Sequence, residues 1–350
     1  MDLDRRSFLR YAGRTGAGLA VLGASGGLLA ACGSDDDAKD AAANGITTTT
    51  GAKAAALGAM TMQLNWISDF EFAGSYVADD KGYWTDLGFD SSSLLPGGAA
   101  VQVEPKVVAG NALIAYAQTA NVVAANAKGA DLKVIGAGMP KNPLCLLSLK
   151  DKPITTPADI KGAKIGIPVN SENIWAAFLE YNKIDPSSYT KVPVQFDPSP
   201  LTNGEVDAIM SFATNQPITV ELAGHETALL FLSDYGFAYP EQLYICQAKS
   251  LTSKKDELVA AMTGERKGWD DVFADPSVGI DLTMTKYGKD AGLDEKQQTL
   301  GLQKLIPLMK GDGALFAMSD SLVSSAVESL SRLKLDVDAS LFTNEILDAI

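Results

Sequence analysis

Met60-Thr61-Met62-Gln63-Leu64 alternates apolar and polar residues as a strand does, and the elements that follow it decide the fold. Residues 72–81 carry helical spacing and stop at Gly82. Ser92-Ser93-Leu94-Leu95 reads as a second strand, closed by Pro96-Gly97-Gly98 ahead of a helix through Val107. Leu113-Ile114-Ala115-Tyr116, a helix to about Lys128 and Leu132-Lys133-Val134-Ile135 repeat the alternation. Strands separated by helices require parallel crossovers, so the expected class is α/β. Ligands of such sheets sit beyond the carboxyl ends of the strands.

A second unit restarts at Thr156-Pro157-Ala158-Asp159, a capped helix start ended by Gly162. Lys164-Ile165-Gly166-Ile167-Pro168 is an apolar strand, and Ile174, Phe178 and Tyr181 share a helical face. Strands around Val194, Ile209 and Leu229 continue the pattern. The remainder from Ser253 is mostly helical, with Ser253-Lys254-Lys255-Asp256 expected as a capping box. Two strand-like crossings, at 144–149 and 243–246, predict two lobes joined by a hinge: residues 59–148 with 243–350, and residues 149–242. That is the topology of type II periplasmic binding proteins, whose closure traps a ligand.

The N-terminus predicts export. Asp4-Arg5-Arg6-Ser7-Phe8-Leu9-Arg10 has the form of a twin-arginine signal, and Leu29-Ala30-Ala31-Cys32 that of a lipobox. Residues 1–31 are therefore expected to be removed and Cys32 to be lipidated. Buried acyl methylenes contribute about 0.8 kcal/mol each, so two or more chains anchor a domain stably. Residues 32–58, with Asp35-Asp36-Asp37 and Thr47-Thr48-Thr49-Thr50, bury too little apolar surface to fold and read as a tether. The formal charge of −14 argues against nucleic acid and anionic lipid as partners. Cys145 and Cys246 are the only other cysteines, too few for a disulfide scaffold. Both lie on the two expected crossings and could pair, but their apolar context favours free thiols.

Several blocks carry a resemblance: Leu64-Asn65-Trp66, Phe72-Ala73-Gly74-Ser75-Tyr76-Val77-Ala78, Lys81-Gly82-Tyr83-Trp84 and Leu95-Pro96-Gly97-Gly98. Further on come Pro157-Ala158-Asp159-Ile160-Lys161-Gly162, Gly204-Glu205-Val206-Asp207-Ala208, Thr214-Asn215-Gln216-Pro217 and Asp234-Tyr235-Gly236. Over residues 62–246 the chain resembles the binding-protein family for thiamine pyrimidine precursors, which also has riboflavin-binding lipoproteins among its relatives. The resemblance implies a monomeric binding protein serving ABC permease and ATPase subunits, without cofactor, metal or catalysis. The same fold includes a fungal pyrimidine synthase that consumes its own histidine and pyridoxal phosphate. This chain has Phe72 before Ala73-Gly74, where that enzyme has its histidine, and no lysine between Thr61 and Asp80. The single histidine, His225, sits in a polar turn. The alternatives to transport are thus that synthase chemistry and a ligand-sensing role beside a membrane receptor.

Candidate ligand contacts follow from strand ends. Trp66 can cover a planar ring, and Phe72 and Tyr76 share a helical face that suits either a site wall or core packing. Gly97 and Gly98 allow a close backbone approach, and Gln118 offers a donor and an acceptor. On the second lobe, Asn170 and Ser171 sit at a helix start, Trp175 one turn in, and Asn215 just after a strand. Asp234 and Tyr235 stand near the return crossing, where a carboxylate could accept from a ring amine.

Overall fold

The computed structural model describes residues 56–98, 100–168, 171–195, 197–311 and 313–350. The expected signal, Cys32, most of the tether and Asn170 lie outside the described residues.

Among the described residues, ten strands form two five-stranded sheets. The first holds β1 (Ala59–Gln63), β2 (Ser91–Leu95), β3 (Ile114–Ala117) and β4 (Leu132–Met139). The second holds β5 (Leu144–Leu149), β6 (Lys164–Pro168), β7 (Thr190–Val194), β8 (Ala208–Phe212) and β9 (Thr227–Phe231), and β10 (Glu241–Gln247) returns to the first. The orders are β2-β1-β3-β10-β4 and β7-β6-β8-β5-β9. In each sheet the antiparallel strand is the one the chain lays down just after changing lobes: β10 against β3 and β4, β5 against β8 and β9. The other β1–β3 and β6–β8 pairings are parallel, as the alternation of strands and helices demands.

The passage between lobes differs from the expected pair of crossing strands. β5 pairs only within the second sheet and β10 only within the first. The chain crosses instead in residues 140–143 and 232–240. Cys145 and Cys246 therefore stand in different sheets rather than side by side. Both are buried free thiols, and burial pushes each up to about 12.

The helix Ala73–Asp80 is held to its lobe by a close contact. A Cβ on Gly268 of the helix Lys255–Ala274 would lie 2.0 Å from the Gly74 carbonyl oxygen, and one on Gly74 would meet the Trp269 ring at 2.3 Å. Beneath them, Glu265 Oε1 accepts from Ser75 Oγ (2.8 Å), Tyr116 OH (2.6 Å), Tyr244 OH (3.0 Å) and Trp269 Nε1 (2.9 Å). Burial raises the Glu265 carboxyl while these donors oppose the rise. The network ties two helices to β3 and β10, so the loop before Ala73 rests on a fixed base.

Two capping expectations fare differently. Thr156 and Asp159 close their box, on the single 3-10 turn Pro157–Ile160. Ser253 does not cap the long helix: it ends the short helix Ser250–Ser253, and its hydroxyl donates back to the Lys249 carbonyl at 3.0 Å.

Candidate functional site

β4 runs parallel to β1–β3 and its carboxyl end leads into the first crossing; β9 does the same in the second sheet. The carboxyl ends of all the parallel strands therefore meet at the crossings, and the space between them is the candidate site.

On the first lobe, the loop after β1 is fixed by the loop after β2. Gly97 N donates to the Trp66 carbonyl at 2.8 Å, and a Cβ on Gly97 would stand 2.4 Å from the Leu64 oxygen. Only glycine permits that approach. Gly98 adopts φ 147°, a region that glycine enters freely. The loop holds Trp66 41% exposed, a large ring open to solvent beside the strand end. Asn65 keeps its Oδ1 buried and without a hydrogen-bond partner.

Asp69, Glu71 and Glu241 were not singled out from sequence, yet they dominate this lobe's electrostatics. Asp69 caps the short turn Phe70–Phe72, its Oδ1 accepting from Glu71 N at 3.0 Å. Burial first, then the Glu71 charge, raises its carboxyl well above the usual range. Burial pushes Glu71 to about 7. Glu241 accepts from Thr119 N at 3.1 Å, at the start of the helix Thr119–Ala127. Burial pushes it also to about 7, against the lowering pull of the Thr119 and Gln242 N–H groups. Among the described residues none of the three has a basic partner. The pattern Asp69-Phe70-Glu71, with two acids at the end of the loop after β1, was the available signal. Gln242, beside Glu241, is nearly buried with φ 52°, an uncommon conformation for a side-chain-bearing residue in a strand.

The other expected contacts fall into two groups. Gln118 and Asn215 are exposed at helix starts without capping bonds of their own; Gln118 Oε1 accepts from Asn121 Nδ2 at 3.5 Å, and the Asn215 amide is open. The neighbour Gln216 accepts from Ser211 Oγ at 2.9 Å and Phe212 N at 3.2 Å, which leaves Asn215 free of that duty. Ser171 is half-buried before the helix Glu172–Tyr181. Phe72 and Trp175 are enclosed: Phe72 packs edge-on to Tyr116 at 4.9 Å, and Trp175 stacks on Phe178 and donates to Tyr189 OH at 2.8 Å. Neither ring offers a face to a ligand in this conformation, because the apolar faces of their helices pack inward. Tyr76 is equally enclosed, its ring stacked on Tyr287 at 4.4 Å, but its hydroxyl has no hydrogen-bond partner. Asp234 ion-pairs with Lys141 at 2.9 Å and so links the two crossings, while Tyr235 OH donates to the Thr155 carbonyl at 3.3 Å. Among the described residues no cluster of three or more His, Cys, Asp or Glu suits a metal, and no helix is long and apolar enough to cross a membrane.

The comparisons agree with this architecture. The chain is 24% identical over 283 residues to the formylaminopyrimidine-binding protein of Halalkalibacterium halodurans, covering 78% of this chain and 84% of that protein. It is 23% identical over 314 residues to the riboflavin-binding protein RibY of Chloroflexus aurantiacus, covering 82% and 86%. In fold it is similar to the periplasmic aliphatic sulphonate binding protein SsuA of Escherichia coli, with TM-score 0.63, 14% identity, and 84% and 97% covered. Residues 69–278 match the family described as NMT1/THI5 like, and the chain belongs to that family with the two-lobed fold of type II periplasmic binding proteins.

Proposed function

We propose that this chain is the solute-binding component of an ABC importer, exported and anchored through Cys32, and that it closes its lobes on a small aromatic N-heterocycle. The observation that supports the reading is the two-sheet topology, which turns the strand carboxyl ends toward the crossings, with Trp66 exposed after β1 in one lobe and Asn215 exposed after β8 in the other. A planar ring stacked on an indole gains about 0.5–1.5 kcal/mol beyond area burial. The names of the two curated relatives support a pyrimidine precursor or riboflavin as ligand classes. The site is read as non-catalytic: Phe72 occupies the position before Ala73-Gly74, and exposed His225 lies in the turn after the helix Gln216–Leu222.

The deciding experiment is a thermal-shift screen of the purified domain against formylaminopyrimidine, hydroxymethylpyrimidine and riboflavin, followed by small-angle scattering with the best ligand. A raised Tm and a contracted radius of gyration are expected. No shift with any of them, or a shift without contraction, would return the ligand class or the closure to question.

A further inference from the structure

The second crossing is gripped from both sides. The helix Asp320–Arg332 is rooted in the first lobe: just before it, Phe316 O accepts from Ala137 N of β4 at 2.9 Å. Asn344 pairs with both backbone groups of Met318, at 3.0 and 2.7 Å. The far end of this helix reaches the crossing. Arg332 Nη1 donates to the Gly236 carbonyl at 2.6 Å, and Ser329 Oγ lies 3.2 and 3.4 Å from the Gly236 and Ala238 carbonyls. From the other side comes the second lobe's helix Glu172–Tyr181. Its last residue lies so close that a Cβ on Gly236 would stand 2.0 Å from Tyr181 Cε1, and Gly236 sits at φ 95°, where only glycine is at ease. Asn182 Nδ2 donates to the Tyr235 carbonyl at 3.1 Å. The Arg332 guanidinium lies 4.2 Å from the Tyr181 ring centroid, so the two helices meet over the crossing.

We infer that Arg332 is a positioning residue outside the cleft: through Tyr181 and Gly236 it sets the resting angle between the lobes. The inference goes beyond the choice of ligand and rests on the two-lobed fold. The helix Glu172–Tyr181 has 10 residues, a rod of about 15 Å, and follows the parallel strand β6. Its start therefore borders the space between the lobes while its end lies under Arg332. Rotation of the second lobe about the crossings moves Tyr181 against a helix fixed to the first lobe, and so slides the ring from beneath the guanidinium. The Arg332 side chain is 25% exposed and Tyr181 47%, so the stack yields at modest cost and biases the angle without locking it. Lys304 and Glu221 already touch across the lobes at 2.9 Å, so lobes released from Arg332 part rather than close.

The test is small-angle scattering of the ligand-free protein as wild type, Arg332→Met, Tyr181→Ala, Tyr181→Phe and the Arg332→Met/Tyr181→Ala double variant. Arg332→Met and Tyr181→Ala should each enlarge the radius of gyration. The double variant should enlarge it no further than the larger single change, because the two side chains act as one contact. Tyr181→Phe keeps the ring under the guanidinium and should match wild type. Phe237 N donates to the Leu232 carbonyl at 3.2 Å inside the crossing, and its hydrogen exchange should quicken about two- to fivefold in the first two variants. A wild-type radius in both Arg332→Met and Tyr181→Ala overturns the inference, even if exchange quickens, since the pair would then be a local brace. An enlarged radius in Tyr181→Phe, or additive enlargement in the double variant, overturns it too. No ligand enters these measurements, so their failure is distinguishable from a failed heterocycle screen.

Discussion

Lys304 and Glu221 meet at 2.9 Å across the lobes, one on the helix Glu295–Met309 and the other on the helix Gln216–Leu222. The first of these helices also accepts Phe70 N on Gln298 Oε1 at 2.9 Å and packs Gly301 against the Phe70 ring. A single helix thus touches the acidic loop of one lobe and the helix behind Asn215 of the other. Both charged side chains are 28% exposed, so their pairing contributes about 0–1 kcal/mol. Lys304→Ala should expand the ligand-free radius of gyration and weaken ligand binding by up to about fivefold. An unchanged scattering profile would show that the pair does not latch the lobes.

Trp66→Ala should cost about 1–3 kcal/mol of ligand binding, since aromatic anchors that become buried in the complex commonly dominate such sites. Asn215→Ala should cost a similar amount, about 1–3 kcal/mol, by leaving a ring polar group unpaired. Neither side chain supports the core or caps a helix, so far-UV dichroism should match wild type. Calorimetric titration of both variants with the ligand from the screen decides, and retained affinity in both would move the site.

Stability without ligand should fall as pH rises from about 4.5 to about 7. Glu71 and Glu241 have folded values near 7 against an ordinary 4.5, so the folded state holds more protons across that window. Their stabilisation is complete below the unfolded value and is lost as pH passes the folded one, an upper bound of about 3 kcal/mol each. Glu71→Gln should flatten the curve of Tm against pH. A curve of wild-type slope in that variant would sink the assignment.

Gly268→Ala should destabilise the domain by about 1–3 kcal/mol or more, because its Cβ would collide with the Gly74 carbonyl. Chemical denaturation should show a lower midpoint with unchanged slope.

Cys32→Ala should release the protein from membranes with its fold intact. Fractionation with detergent partitioning tests this; a variant still membrane-bound would refute the lipobox. Cys145 and Cys246 should react with a thiol reagent only after denaturation.

Most of the fold was legible because period-2 and period-3.6 patterns separate cleanly in residues 59–247. β1, β2 and β6 fall within a residue or so of their expected bounds. The crossings were misplaced because β5 and β10 are apolar from Leu144 to Leu147 and from Leu243 to Cys246, and apolarity alone does not say which sheet a strand joins. Loop residues at strand ends, Trp66, Gln118 and Asn215, were marked from position, and the structure leaves all three exposed there. Phe72, Tyr76 and Trp175 were ambiguous, since an aromatic in the first turns of a helix faces cleft or core depending on a rotation the sequence does not encode. Asp69, Glu71 and Glu241 went unmarked because an isolated acid reads as a solvated surface charge until its burial is known.

The interlocked glycines Gly74 and Gly268 have a mechanical consequence. Helices whose backbones touch cannot slide or separate without breaking that contact, and the Glu265 bonds beneath resist rotation as well. A force that a ligand exerts on Trp66 or Glu71 is passed to the two short crossings, which Lys141 and Asp234 bridge, and to Gln242 just beyond them at the start of β10, which sits in a strained backbone well. The lobe behaves as a lever arm, and those few residues are its fulcrum.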